Sequence, residues 1–236
     1  MPKVVLTSAS KNFTDTDIQA VVSRSFDLLG YNYPKKVGNV VIKPNLCYYW
    51  DYSTGETTDP RVVSAIIDYL RAKFGEDVDI CIAEADASAM KTKYSFKILG
   101  YEKLSQEKNV RLINLSEGEI VEKQTYVNNK PITLPVNKTL LESDLLISVP
   151  KLRTHSLVGM TCNLKNMFGA ISKPRKFSYH KNLDATIVAI NKLVKPDIYI
   201  VDGLIVSGKY SKKMGVILSG DDALATDFVV AKIVGF

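Results

Sequence analysis

Between Asp144 and Asp184 the chain contains no acidic residue at all. Other absences narrow the possibilities further. No apolar run approaches the roughly 20 residues that a bilayer-crossing helix needs. The opening MPKVVLTSASKNF lacks the apolar core of a signal peptide. A cytoplasmic protein with no membrane association is therefore expected. Only three cysteines occur, Cys47, Cys81 and Cys162, and none forms a C-x-x-C pair. That spacing excludes a disulfide framework, a self-contained zinc site and an intrinsic iron–sulfur cluster. Small core residues in a reducing compartment are the expectation for them. Internal repeats and low-complexity stretches are also missing.

What is present is enough apolar matter for a sizeable core: 46% of 236 residues. The pattern reads as one α/β domain over residues 1–236. The last helix stops abruptly at Gly235-Phe236, so the chain reads as a natural short form or a truncated one. Strands are expected at Lys3–Thr7, Val37–Ile42, Val78–Ala83, Leu145–Val149 and Ile198–Val201, with another near Val216–Leu218. Helices are expected from Thr14 to Leu29, from Asp59-Pro60 onward, from Ala185 to Val194, and from about Asp222 to Val234. Residues 102–113 read as a helix then a strand. Glu119 to Val136 alternates around Asn128-Asn129 and reads as an inserted β-hairpin. Alternating β and α elements predict a mostly parallel sheet with helices on both faces.

The net charge of +6 is concentrated. Lys151, Arg153, Lys165, Lys173, Arg175, Lys176 and Lys181 all fall in the acid-free segment, which leaves the remaining residues close to neutral. Both histidines of the chain, His155 and His180, lie there too. A local positive field of this kind suits an anionic partner: a phosphate, a carboxylate or nucleic acid. A solvated basic loop is the plain alternative, and the glycines and histidines of the segment argue against it.

Polar clusters follow the expected strands: Lys43-Pro44-Asn45, Glu84 with Asp86, Lys151 to His155, and Asp202-Gly203. In open α/β sheets ligands bind outside the carboxyl ends of the strands, so these distant clusters are expected to converge on one crevice. Lys43, Asn45, Lys151, Arg153, Asn166, Lys176 and Asp202 are the candidate ligand contacts. His155 is the candidate proton-transfer group, its alternative being a structural hydrogen bond. Lys165 is a phosphate anchor, a nucleophile or an exposed surface lysine. Glu84 and Asp86, two residues apart on one side of the pleat, suit a metal, a shared proton or a cap on the next segment. Gly203 to Lys209 matches the G-x-x-x-x-G-K part of a phosphate-binding loop. Tyr210 stands where a Ser or Thr hydroxyl is required, so a loop or short turn is expected instead.

Taken together, Ile42-Lys43-Pro44-Asn45, Thr58-Asp59-Pro60, Val149-Pro150-Lys151 through Thr154-His155, Lys165-Asn166 with Gly169, Val201-Asp202-Gly203 and Gly220-Asp221-Asp222 onward resemble the DUF 362 family. The likeness spans essentially the whole chain. Many members carry an appended ferredoxin-like module, which implies a redox association and, for a chain without that module, a separate ferredoxin-like electron carrier. A second resemblance is local. His155-x-x-x-Gly159-x-x-x-x-x-Lys165 is similar to the His/Gly/Lys segment of the nickel-pincer lactate racemases. That resemblance implies acid/base work for His155, cofactor attachment or anchoring for Lys165, and a divalent metal, nickel or another transition metal, on His180. Glu84 is the second candidate metal ligand. The racemases' acidic turn after an early strand has no counterpart here, where Lys43-Pro44-Asn45 stands.

The functional expectation is a metal- or cofactor-dependent enzyme binding a small anionic ligand at the strand ends. The alternative is a non-catalytic module for nucleic acid or a phosphorylated partner, using residues 151–181 for phosphates and Tyr48-Tyr49-Trp50 for stacking.

Overall fold

A computed structural model describes residues 1–236 except 11, 47, 156–158 and 236, so Cys47 lies outside the described residues. Its framework is a nine-stranded sheet. In chain order the elements begin with β1 (Val4–Ser8), α1 (Asp15–Leu29), β2 (Asn39–Pro44), α2 (Pro60–Phe74) and β3 (Asp79–Glu84). Next come α3 (Thr92–Ile98), α4 (Tyr101–Glu107), β4 (Arg111–Asn114), β5 (Ile120–Val127) and β6 (Lys130–Asn137). Then follow α5 (Lys138–Leu141), β7 (Leu145–Val149), β8 (Lys151–His155), β9 (Gly159–Thr161) and α6 (Asn163–Asn166). The chain closes with α7 (Leu183–Leu193), β10 (Ile198–Ser207), β11 (Lys212–Gly220) and α8 (Ala223–Val234). Strand order is β1-β11-β10-β7-β2-β3-β4, with β8 beside β10 and β9 beside β8.

The central ladders, from β10 through β7, β2 and β3 to β4, are all parallel, and antiparallel β11 and β1 extend one edge. Apolar residues alternate between the faces as a two-residue period demands. Val40, Ile42, Ile80, Ile82, Leu145 and Ile147 pack beneath α1, α2 and α4. Val41, Cys81, Ala83 and Leu146 face the opposite layer, with α7 and the β5–β6 hairpin. Cys81 and Cys162 are free and buried, as small core residues. Burial raises the Cys81 thiol to about 11, so it stays protonated at neutral pH.

Local chemistry accounts for the element ends. Thr14 caps α1 with a reciprocal Thr14–Asp17 box. Asp59 caps α2 with Pro60 at its first position. Asn128 and Asn129 both take positive φ, at 50° and 60°, which is what a two-residue hairpin turn requires. Residues 151–155, expected as a polar cluster beyond the end of a strand, themselves form a strand. Pro150 has no N–H to continue the ladder of β7, and the chain re-enters the sheet one residue later beside β10. The G-x-x-x-x-G-K stretch is likewise mostly strand, since β10 runs through Ser207 before turning into β11.

One polar junction ties the strand ends together beneath the surface. Lys151 and Asp202 are fully buried and paired, with Nζ 2.8 Å from Oδ2. The same Oδ2 accepts the Asp59 N–H at 2.8 Å, and Asp202 Oδ1 accepts from Leu204 at 3.0 Å. Next to it, the Thr58 hydroxyl donates to the Val149 carbonyl at 2.7 Å and accepts the Asn45 N–H at 2.9 Å. Three strand ends and the start of α2 are thus held by one set of bonds. Asp202→Ala, which leaves the Lys151 ammonium buried without its counter-charge, is expected to cost about 3–5 kcal/mol in urea unfolding. Disrupting the exposed Arg111–Asp79 pair by Arg111→Ala should cost less than about 1 kcal/mol.

Candidate functional site

The chain leaves β2 toward β3 and leaves β7 toward β10, so the crevice of this sheet opens at the carboxyl ends of those two neighbouring strands. A cavity of about 920 Å³ lies there. Its wall includes Lys43, Asn45, Glu84, Arg153, His155, Lys165, Asn166, Lys176 and His180, which are nine of the residues singled out from sequence. Lys151 and Asp202 are not on that wall. Both are wholly buried in the junction beneath it, bonded to each other. Asp86 is absent too: it caps α3 through the Thr92 N–H at 2.9 Å and pairs with Lys91 at 2.8 Å.

The floor is a buried polar chain. Lys43 Nζ lies 3.1 Å from Glu84 Oε2 and donates to the Pro44 carbonyl at 3.0 Å and to Asn166 Oδ1 at 3.3 Å. Glu84 also accepts the N–H groups of Ala85 at 2.9 Å and Leu46 at 3.3 Å. The Asn166 amide donates to the Ser148 hydroxyl at 2.9 Å. Gly169 lies directly over this chain. A Cβ there would come within 2.9 Å of Lys43 Nζ and 3.0 Å of Glu84 Oε1, so a larger residue would require that buried pair to shift.

Short α6 brings Lys165 and Asn166 to the cavity, and its start is fixed from the far end of the sequence. Buried Asp227 of α8 accepts the N–H groups of Asn163 at 2.9 Å and Leu164 at 3.0 Å. Its pKa is raised by burial, against those same bonds. Lys165 Nζ sits 4.5 Å from the centre of the Phe168 ring, and the His180 ring meets that ring edge-on at 5.1 Å. Lys165 and His180 therefore contact the same phenyl ring. The His180 Nδ1 is 3.1 Å from the Lys176 carbonyl oxygen. His155 has its pKa lowered by burial first and then by the positive charges of Lys165 and Arg153. It is thereby biased toward the neutral imidazole that accepts a proton.

Lys176 is 4% exposed, and its amine donates to the Gly169 carbonyl at 2.9 Å. Burial, reinforced by Lys43 and Lys165 and opposed by Glu84 and Asp86, brings its pKa down to about 7. The two carboxylates on the wall are both engaged, Glu84 with Lys43 and Glu56 with Arg153. The Thr161 hydroxyl is buried at the wall with no hydrogen-bond partner among the described residues.

The described side chains of this site do not by themselves make a metal centre. Among the described residues no group of three or more His, Cys, Asp or Glu is placed to hold one. Glu84, one of the two expected ligands, has both oxygens committed to Lys43 and to backbone N–H groups.

Several wall residues carried no signal in the sequence. Phe168, Phe177 and Met90 looked like ordinary apolar positions, and the turn at 207–211 was set aside with the imperfect phosphate-loop match. Tyr48 and Trp50, from the aromatic loop, stand half-exposed at the rim. Gly55 seats that loop on the end of β10. Its φ is +79°, and a Cβ there would lie 2.5 Å from the Ser207 nitrogen.

A family model described as a domain of unknown function, DUF362, matches residues 40–232. The thylakoid-associated protein sll1697 of Synechocystis sp. (strain ATCC 27184 / PCC 6803 / Kazusa) is 26% identical over 215 residues. That alignment covers 86% of this chain and 64% of the relative, so the chain spans less than two thirds of that protein's length. Among solved structures, the lactate racemase apoprotein from Thermoanaerobacterium thermosaccharolyticum matches with a TM-score of 0.61 at 14% identity. The match covers 92% of this chain and 55% of that one, and it establishes the fold. Among the described residues no helix is long and apolar enough to cross a membrane.

Lys176 gives a pH signature. Its folded pKa of about 7 lies below the 10.5 of an ordinary lysine, so the unfolded chain binds more protons between those values. Stability contributed by this group should therefore rise with pH from about 7 to 10.5, and the full penalty should apply below pH 7. Lys176→Met is expected to flatten that rise in urea unfolding followed at pH 6 and pH 9.

Proposed function

The chain belongs to the DUF362 family, and we propose that it is an enzyme whose cleft binds a small anionic ligand at the carboxyl ends of the parallel strands. One observation carries this reading. A single cavity gathers both histidines with Lys43, Arg153, Lys165, Lys176 and Lys209, against two carboxylates that are each already ion-paired. The excess positive charge is partly out of water, where each charge acts more strongly on an anion than it would at the surface. The volume, about 920 Å³, is at the upper end of the roughly 300–1,000 Å³ of small-molecule sites.

In this reading Lys165 and Arg153 hold the anionic group, with Asn45 and Asn166 as neutral hydrogen-bonding partners. His155, held toward its neutral form, takes a proton from the bound ligand, and His180 contacts the same Phe168 ring as Lys165. Chemistry on a carboxylate is the class favoured, because cations, a neutral imidazole and amide groups are what proton transfer next to a carboxylate requires.

A phosphate rail for nucleic acid has less support. Two cations of the basic segment, Lys151 and Lys176, point into the protein and are buried, so the stretch is not a continuous exposed surface. Steeply salt-dependent affinity for mixed oligonucleotides would nevertheless replace the present reading.

Thermal unfolding with lactate, propionate or inorganic phosphate provides the test. At least one of these anions should raise the melting temperature in proportion to the logarithm of its concentration. Lys165→Met should weaken that response by roughly tenfold or more in apparent affinity, the loss of one charged hydrogen bond. His155→Gln should leave binding within a few-fold. An absence of stabilisation by every anion, or an unchanged response in Lys165→Met, would overturn the reading.

A further inference from the structure

Three lysines of this protein are almost wholly buried, and they are not equivalent. Lys43 faces Glu84 at 3.1 Å and Lys151 faces Asp202 at 2.8 Å. Lys176 has no carboxylate within 4.0 Å among the described residues, and its one hydrogen-bond acceptor there is the uncharged Gly169 carbonyl. Its position is nevertheless fixed: the Lys176 N–H donates to the Ser88 hydroxyl at 3.2 Å, and its carbonyl faces His180. Lys176 also lines the cavity.

We infer that Lys176 is a nucleophilic amine of the cleft, one that condenses with the carbonyl carbon of a small 2-oxo acid or aldehyde to form an imine. The inference rests on the reading of the cleft as an anion site and adds to it the class of ligand. An uncharged amine that gives one N–H to Gly169 keeps its lone pair, and Lys176 is a residue of the cavity wall. An ammonium group here lacks the counter-charge that the other two buried lysines have, which favours the uncharged form. The groups facing it are Lys43, Lys165, Glu84 and Asp86. Burial and the two lysines outweigh the two carboxylates, so near neutral pH much of the amine is free base. An ordinary lysine at that pH is unprotonated only to about one part in a thousand.

The reaction balances without an added oxidant or reductant. Nζ attacks the carbonyl carbon and the C–O π pair moves to oxygen, which takes a proton to give a carbinolamine. Loss of that oxygen as water, with the second nitrogen proton released, leaves the C=N bond. The net change is amine plus carbonyl giving imine plus water. The imidazoles of His155 and His180 on the same wall are suited to carry the protons. A carboxylate next to the carbonyl, as in a 2-oxo acid, would face the positive charge of Lys165 and Arg153.

Reductive trapping tests this directly. The full chain is incubated with pyruvate or propionaldehyde and sodium cyanoborohydride, and peptide mass mapping locates the adduct. One adduct on Lys176 is expected, with a labelling rate that rises through about pH 7 and then levels, whereas surface lysines keep gaining to far higher pH. Lys176→Arg should lose the adduct and Lys165→Arg should keep it. Excess propionate, an anion with no carbonyl, should slow labelling of the parent, a readout that survives even if Lys176→Arg does not fold. Adducts on Lys165 alone, adducts spread over surface lysines, or no adduct would overturn the inference. Melting data separate the two failures. If propionate stabilises the protein while Lys176 stays unlabelled, the anion site stands and the nucleophile falls. If lactate, propionate and phosphate all fail to stabilise the protein and Lys176 stays unlabelled, both fall.

Discussion

Removing lysine ammonium groups from water is the constraint on which this structure turns. A buried charge costs several kcal/mol unless a counter-charge and further hydrogen bonds accompany it. Lys151 meets that demand with Asp202, which simultaneously holds the first turn of α2. Lys43 meets it with Glu84, and the pair joins the ends of adjacent strands β2 and β3. Each pair sits where a parallel strand stops, so satisfying the charge and fixing the strand ends are the same event. The cleft takes part of its floor from the Lys43–Glu84 pair. Gly169 lies close over Lys43 and Glu84, where a Cβ would meet both side-chain ends at about 3 Å.

The two pairs also divide the labour between scaffold and site. Lys151–Asp202 is sealed beneath α2 and forms no part of the cavity wall, whereas Lys43–Glu84 forms part of it. Above that floor, each approach to the cavity comes from a different element. Strand β8 presents Arg153 and His155, α6 presents Lys165 and Asn166, and the 3₁₀ turn Phe177–Asn182 presents His180. The short helix α6 has no strength of its own at four residues, and its alignment depends on Asp227 of α8. The last helix of the fold is therefore coupled to the placement of Lys165.

Local rules made much of the framework legible. Apolar runs bounded by polar residues placed β3 and β7 within a residue or two, and the polar residues at Thr14, Asp59 and Asp222 marked the starts of three helices, where each proves to be the cap. Asn128-Asn129 located a hairpin, because few residues other than glycine accept positive φ so readily. What local rules do not carry is which side of a wall a side chain ends on. Lys43 and Lys151 both follow an apolar strand and look alike in sequence, yet one lines the cavity and the other lies beneath it. The difference is made by Asp202 and Glu84, which come from strands far away along the chain. Strand β8 was missed for a related reason. Lys-Leu-Arg-Thr-His has the composition of a loop, and it becomes a strand because Lys151 pairs in register with Asp202 on β10.

The basic segment illustrates how burial changes the meaning of charge. Seven cations without an acid suggest a surface that attracts long polyanions from a distance, an effect that salt screens within about 8–10 Å. The fold distributes those cations differently. Lys151 is neutralised internally, Arg153 meets Glu56, Lys165 lies over Phe168, and Lys176 is turned inward. Charges held inside a cleft act at short range and in a medium that screens poorly. A cleft built this way needs its cations fixed and few in number. That is what the pairs beneath it and the ring of Phe168 beside it provide.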